Sequence, residues 1–381
     1  MRRRILFPLF FAAIFLALRA AAPRGAAMAP EGVPAPSPTP RPGDPAFTWI
    51  PQHADSTTAF RGLSAPNDSV VWASGSGGVL ARTVDGGRAW STIRLPGADS
   101  LFLVDVTAFD ARTAVVLGTR FNGGLAKVFR TDDGGTTWTV QYTDDREGAF
   151  YDGLACWDRE HCVAFGDAVD GRLAIARTAD GGHWHRVAGD AVPAALPGEA
   201  GFAASGTSIV AIGSGHAWIG TGGGDHARVF RTTDGGRTWQ VSDTPLAAGQ
   251  SAGIFGIAFR DTLHGLAVGG DYTKPDDPSA NVLRTDDGGR TWRMVGATTP
   301  PGVKWGLAVV PGQEGAFVAV SPAATAFTPD DGATWVAIPG GYNTVSFAGP
   351  EAGWAAGNGG RIARASYQHL LMRGPVQPPG R

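Results

Sequence analysis

Five stretches of the chain share one pattern of apolar and polar positions: a short apolar run, a polar turn, and a second apolar run ending on glycine. They read GLSAPNDSVVWASG (62–75), DVTAFDARTAVVLG (105–118), GLACWDREHCVAFG (153–166), GIAFRDTLHGLAVG (256–269) and TVSFAGPEAGWAAG (344–357). Each predicts a hairpin of two short, mostly buried strands. GLAVVPGQEGAFVAV (306–320) is a looser version, and FAASGTSIVAIGSGHAWIGTG (202–222) carries extra residues around the same core, which makes seven hairpins in all.

A second motif follows six of them: RTVDGGRAW, RTDDGGTTW, RTADGGHW, RTTDGGRTW, RTDDGGRTW and FTPDDGATW, ending at Trp90, Trp138, Trp184, Trp239, Trp292 and Trp335. The intervals between successive tryptophans are 48, 46, 55, 53 and 43 residues, the length of one four-stranded propeller blade. In each copy an aspartate (Asp85, Asp133, Asp180, Asp234, Asp287, Asp330) is placed to accept backbone N–H bonds within a tight turn. A glycine (Gly87, Gly135, Gly182, Gly236, Gly289, Gly332) is expected to supply a positive φ, and the tryptophan opens the outgoing strand. Two copies depart from the pattern: the third lacks the threonine before Trp184, and Ala89 replaces it in the first. Each departure is expected to loosen a hydrogen bond and leave the architecture unchanged.

Seven hairpins against six turns leave the last unit short of a strand. GGRIARAS (359–366) provides its third strand, and AFTWIPQ (46–52), at the other end, is the candidate fourth. The expected fold is therefore all-β: one seven-bladed β-propeller over residues 46–367, closed by Phe47 to Pro51 pairing beside Arg361 to Ala365. Closure of this kind removes an open sheet edge.

The repeated turn is similar to the Asp-box, or bacterial neuraminidase repeat. Together with the preceding hairpins, it makes nearly the whole chain after residue 45 resemble the photosystem II stability/assembly factor family and its relatives in non-photosynthetic bacteria. That resemblance implies a propeller that holds a partner polypeptide and uses no cofactor. Sialidases, xyloglucan hydrolases and sortilin-type receptors carry similar turns, so the motif specifies fold more than function. A sialidase would need an arginine triad and a tyrosine nucleophile, whereas the chain has 5 Tyr, and Arg82, Arg130, Arg177, Arg231 and Arg284 sit beside the turns.

Composition agrees with this picture. Gly is 56 of 381 residues, which suits strands joined by tight turns. MRRRILFPLFFAAIFLALRAAA opens with three arginines and an uncharged run from Ile5 to Leu18, read as part of a signal peptide over residues 1–29; a retained membrane anchor is the other reading. A proline-rich linker is expected at 30–45 and a tail at 368–381. An exported chain would work in the periplasm or outside the cell. The net charge is −2, and residues 1–29 hold five Arg and no acid, so the remainder stands near −7 (−2 minus 5). That disfavours nucleic acid and anionic lipid as partners. Cys156 and Cys162 either bridge across a hairpin or remain free thiols, and no metal site is legible.

Aligning the hairpins places Arg61, Val104, Asp152, Phe202, Phe255, Trp305 and Asn343 at the starts of the inner strands, near one mouth of the channel. With neighbours Tyr151 and Lys304, the binding candidates are Arg61, Tyr151, Asp152, Phe202, Phe255, Lys304, Trp305 and Asn343. They form either a recognition surface or packing that fills the channel. Asp105, Asp152, Asp167, Asp170 and Glu199 offer carboxylate pairs for a hydrolase, and the polar insertion GGDYTKPDDPSAN (269–281) offers a loop for a ligand or cation. No phosphate-binding loop is present. The expected function is a non-catalytic exported scaffold for a partner polypeptide; the alternative is a glycan-binding protein or glycoside hydrolase.

Overall fold

The structure, a computed structural model, describes residues 47–54, 56–277, 281–295 and 302–367. The leader, the linker and the tail expected from the sequence lie outside them. Seven four-stranded antiparallel sheets form a propeller. Blades 1 to 6 span residues 60–94, 101–144, 151–186, 209–247, 252–294 and 306–338, and blade 7 combines 344–367 with Phe47–His53. Among the described residues no helix is long and apolar enough to cross a membrane.

The glycine that opens several of the hairpins answers to packing at the axis. A Cβ on Gly62 would lie 2.7 Å from Asp105 Cα in the next blade, and one on Gly256 would lie 3.0 Å from Leu307 N. No larger residue fits between adjacent inner strands at these points. Further out, the apolar runs interleave between blades. Trp72 and Leu80 of blade 1 pack with Leu103, Val116 and Phe129 of blade 2, each such burial contributing about 1.5–3 kcal/mol.

The ring closes where the sequence placed the seam. Phe47–His53 pairs antiparallel with Arg361–Tyr367, from Phe47↔Tyr367 to His53↔Arg361. Phe47 is fully buried, edge-on to Trp49 at 5.0 Å and to Phe347 at 6.2 Å. Trp49 Nε1 donates to Thr325 Oγ1 at 3.2 Å, which ties blade 7 to blade 6.

The arginine that opens most copies of the turn motif links neighbouring blades. Arg82 donates to Gly134 O at 2.6 Å, Arg130 to Gly181 O at 3.4 Å, Arg177 to Gly235 O at 2.8 Å and Arg284 to Asp331 O at 3.4 Å. Each acceptor is the carbonyl just after the next blade's turn aspartate. Arg364 of blade 7 makes the same bond to Gly86 O at 3.3 Å, whereas in blade 4 Trp218 Nε1, and not Arg231, donates to the equivalent Gly288 O at 2.9 Å. Blade 6 has Phe327 at this position, and blade 7 has no aspartate turn to receive it.

Candidate functional site: a plugged channel and a turn rim

Antiparallel hairpins alternate the faces of the ring. The aspartate turns lie with the first hairpin turns on one face, and the connections between blades lie on the other. The longest described of those connections leads from Arg186 to Ile209. Its last part, residues 201–208, enters the channel and touches five other blades. Gly201 N donates to Asp167 Oδ1 at 3.0 Å, and Arg61 Nη1 donates to Ala204 O at 3.2 Å. Ser205 Oγ donates to Trp305 O at 2.7 Å, and Ile257 N to Thr207 O at 2.8 Å. Gly206 lies against Asp105, whose Oδ1 would be 2.5 Å from an added Cβ. The channel is thus filled by the chain's own plug.

A buried ion pair anchors the plug. Arg228 Nε donates to Glu199 Oε1 at 2.9 Å and Nη2 donates to Oε2, while Thr221 Oγ1 donates to Oε1 at 2.7 Å. Arg228 also caps Ala194 O, and Leu196 N donates to Glu199 Oε2. Both charges are therefore paired and hydrogen-bonded, the condition for burying them.

The candidates read from the sequence are found around this plug, mostly as internal contacts. Phe202 does not open an inner strand: that strand begins at Ile209, and Phe202 belongs to the plug. The inserted residues displaced the alignment. Phe202 stacks on Phe255 with ring centroids 4.2 Å apart, and Tyr272 stands edge-on to Phe255. Arg61, 8% exposed, lies over the Trp305 ring at 4.7 Å, and burial brings its pKa down to about 10. Lys304 is 1% exposed and donates to Gly302 O; burial lowers it to about 8. Asn343 Nδ2 donates to Phe60 O and Asn358 Oδ1, linking blade 7 to blade 1. Tyr151 is buried, and its hydroxyl donates to Asp144 Oδ2 at 3.2 Å.

The five carboxylates considered as hydrolase pairs separate into distinct environments. Asp152 and Asp167 both lie against Gly201 of the plug and act on each other electrostatically. Burial, followed by the charge of Asp167, drives Asp152 far above the usual carboxylate range. Burial likewise raises Asp167 to about 7, against the lowering pull of the Gly201 N–H and Asp152. The pair therefore retains a proton near neutrality. Asp105 is also raised by burial, although Leu154 N and Val106 N donate to it. Glu199 is held by Arg228. Asp170 and Gly171 both have positive φ, 57° and 77°, and form a tight hairpin turn. Among the described residues no group of three or more His, Cys, Asp or Glu is disposed to hold a metal.

On the opposite face, four of the aspartate turns follow one plan. In the second, Thr131 Oγ1 accepts Gly135 N at 2.9 Å and donates to Asp133 Oδ1 at 2.9 Å. Asp133 in turn accepts Thr137 Oγ1 at 2.6 Å and Thr137 N at 2.9 Å, and these donors hold it at about 2. The third turn differs from the sequence expectation in two respects. Gly182 has no positive φ, because the deletion shortens the turn and only Gly181, at 69°, needs one. The hydrogen bond of the missing threonine is replaced: His183 Nδ1 lies 2.7 Å from Asp180 Oδ2. The first turn does lack that side-chain bond, and Asp85 Oδ1 accepts Thr83 Oγ1 at 2.8 Å and Ala89 N at 3.0 Å.

Cys156 and Cys162 are register partners in blade 3 and are joined as a disulfide. The adjoining Trp157 Nε1 donates to His216 O at 2.7 Å in blade 4. Neither the plug nor the Glu199–Arg228 pair is visible in the repeats; the one signal is the 55-residue interval between Trp184 and Trp239, the longest of the series.

No family model matches the sequence, and no curated protein matches it. Among solved structures, the chain is similar to YCF48 bound to a D1 peptide, with a TM-score of 0.63 and 16% identity over 87% of this chain and 100% of that one. It is similar to YCF48 from Cyanidioschyzon merolae, with a TM-score of 0.57 and 16% identity over 83% of this chain and 98% of that one. A GH74 xyloglucanase from Xanthomonas campestris gives a TM-score of 0.58 at 16% identity, over 83% of this chain and 53% of that enzyme. At such identities the likeness establishes a shared propeller fold and nothing finer.

Proposed function

We propose that this chain is a non-catalytic scaffold, exported to the periplasm or beyond, that binds a partner polypeptide in the manner of the photosystem II assembly factor family. The observation that carries this reading is the plug. In a propeller enzyme the substrate reaches polar groups converging on the channel, whereas here those groups are spent on the chain itself: Arg61 on Ala204, Asp167 on Gly201 and Glu199 on Arg228. What is left for recognition is surface. The Asp-box-like turns, the likeness to a propeller seen with a bound peptide, the leader-like residues 1–29 and the disulfide all support the same reading.

The glycosidase alternative draws on the xyloglucanase likeness. Its weakness is that the carboxylates are engaged: Asp167 accepts Gly201 N and Glu199 is paired with Arg228, whereas a glycosidase needs two carboxyls facing the scissile bond. The test is affinity capture by the intact chain from the envelope of its own cells, with and without protease pretreatment, beside a glycan array and a xyloglucan hydrolysis assay. A saturable polypeptide that disappears on pretreatment is the expected result. Glycan retention or turnover without a polypeptide would overturn it.

A further inference from the structure

The short third turn has a consequence in space. In the five full-length turns, the second residue after the aspartate lies against a side chain of the preceding blade. An added Cβ would meet Gln52 at 2.1 Å on Gly87, Ile93 at 2.8 Å on Gly135, Trp157 at 3.7 Å on Gly236, Trp218 at 2.9 Å on Gly289 and Leu266 at 3.3 Å on Gly332. On Gly182 it would meet only its own turn's Asp180 Oδ1, at 3.8 Å. The space so left is a cleft of about 480 Å³ between blades 2 and 3, on the turn face.

Its lining is polar with an acidic surplus. Arg130 is held by Asp132 and by the carbonyls of Arg159 and Gly181. Arg159 is held by Asp110 at 2.6 Å and by Thr113. Both guanidiniums are thus engaged, and the wall carries three carboxylates (Asp132, Glu160, Asp180) against two arginines, with Asp110 outside the lining neutralising Arg159. Glu160 is exposed, and its carboxylate has no hydrogen-bond or ion-pair partner among the described residues. Beside the cleft runs Thr139–Asp144, the outermost strand of blade 2, with an unpaired outer edge and Val140 49% exposed.

We propose that this cleft docks an arginine or lysine side chain of an extended peptide segment, with Glu160 as its anion and the Thr139–Asp144 edge alongside its backbone. An acidic pocket next to a free strand edge is suited to a cationic residue carried on a β-strand. This rests on the scaffold reading and adds to it the place and the chemistry of contact.

The probes are fluorescein-labelled nonapeptide pools with central Arg, Lys, Gln or Glu, titrated by anisotropy against the full chain. Two variants accompany the parent: Glu160→Gln, and Gly182→Phe, which fills the cleft at a backbone position that accepts a side chain. The Arg and Lys pools are expected to bind tighter than the Glu pool. Glu160→Gln should weaken them roughly fivefold, the scale of one exposed ion pair, and Gly182→Phe should abolish the preference at an unchanged melting temperature. Equal binding of all pools, or variants that bind like the parent, would overturn the proposal. Should the envelope polypeptide be captured equally by Gly182→Phe, the scaffold reading would stand and the cleft assignment would fall. A glycan retained by the parent and lost in both variants would overturn the peptide assignment.

Discussion

On the rim, the carboxylate of Asp133 sits near the surface among O–H and N–H donors and is held at about 2. In the channel, Asp152 is buried and Asp167 half-buried beside it; burial holds Asp167 near 7 and Asp152 well above the usual range. The two sites differ in where their partners come from. Every donor to Asp133 lies within four residues of it in sequence, so six nearly identical segments can build the same turn independently. Asp167 meets Gly201 thirty-four residues away, and the ion pair that anchors the plug spans twenty-nine. The rim is local chemistry repeated; the channel is assembled once, from parts that mean little alone.

This contrast predicts that damage is graded by face. The largest loss is expected from Arg228→Met, which leaves Glu199 buried without its cation and should cost about 3–5 kcal/mol, read as a fall in the urea midpoint. Replacing both partners, as in Arg228→Met with Glu199→Leu, should recover most of that loss. A double variant as unstable as the single one would mean that the pair does more than neutralise itself.

Next in size is the response to pH, which should have opposite sign on the two faces. For Asp152 and Asp167 the folded pKa is raised, so the folded state binds the more protons. Their contribution falls as pH rises from about 4, the value for an unfolded aspartate, through about 7. For Asp133 the folded pKa is depressed to about 2, and its contribution is lost as pH falls from about 4 through that value. Urea midpoints of Asp167→Asn measured from pH 4.5 to 7.5 should be flatter than those of the parent, with the acid limb below pH 4 untouched. A parent slope that persists in the variant would show that the pair does not carry it.

The same division explains what could be read in advance. Blade number, the seam at Phe47–His53 and the turns follow from motifs whose partners are near in sequence or repeat with the period. Phe202 was misplaced because the alignment had to pass through inserted residues that have no counterpart in other blades. Arg61, Asp152 and Lys304 were identifiable as unusual charges at the inner strands, yet the burial of Arg61 and Asp152 depends on residues 201–204 closing over them. Gly182 was misread for a subtler reason. Its sequence matches the other copies up to that point, and the residue missing after it changes the φ that the chain requires there.

The smallest effects should lie within the rim itself, between a full turn and the short one. Thr131 and Thr178 are equivalent in sequence and both are 1% exposed. Thr131 Oγ1 accepts Gly135 N at 2.9 Å, so Thr131→Val strands a backbone donor and should cost about 1–2 kcal/mol. Thr178 has no such duty, because in the short turn Gly182 N is taken by Asp180 Oδ1 at 2.9 Å. What it loses on mutation to valine is its bond to Asp180 at 3.1 Å and a long contact from Asp180 N, a cost of under about 1 kcal/mol. Parallel urea titrations of the two variants decide the matter. Equal losses would mean that the hydroxyl works the same way in both turns, and that shortening the third copy opened the cleft without redistributing its hydrogen bonds.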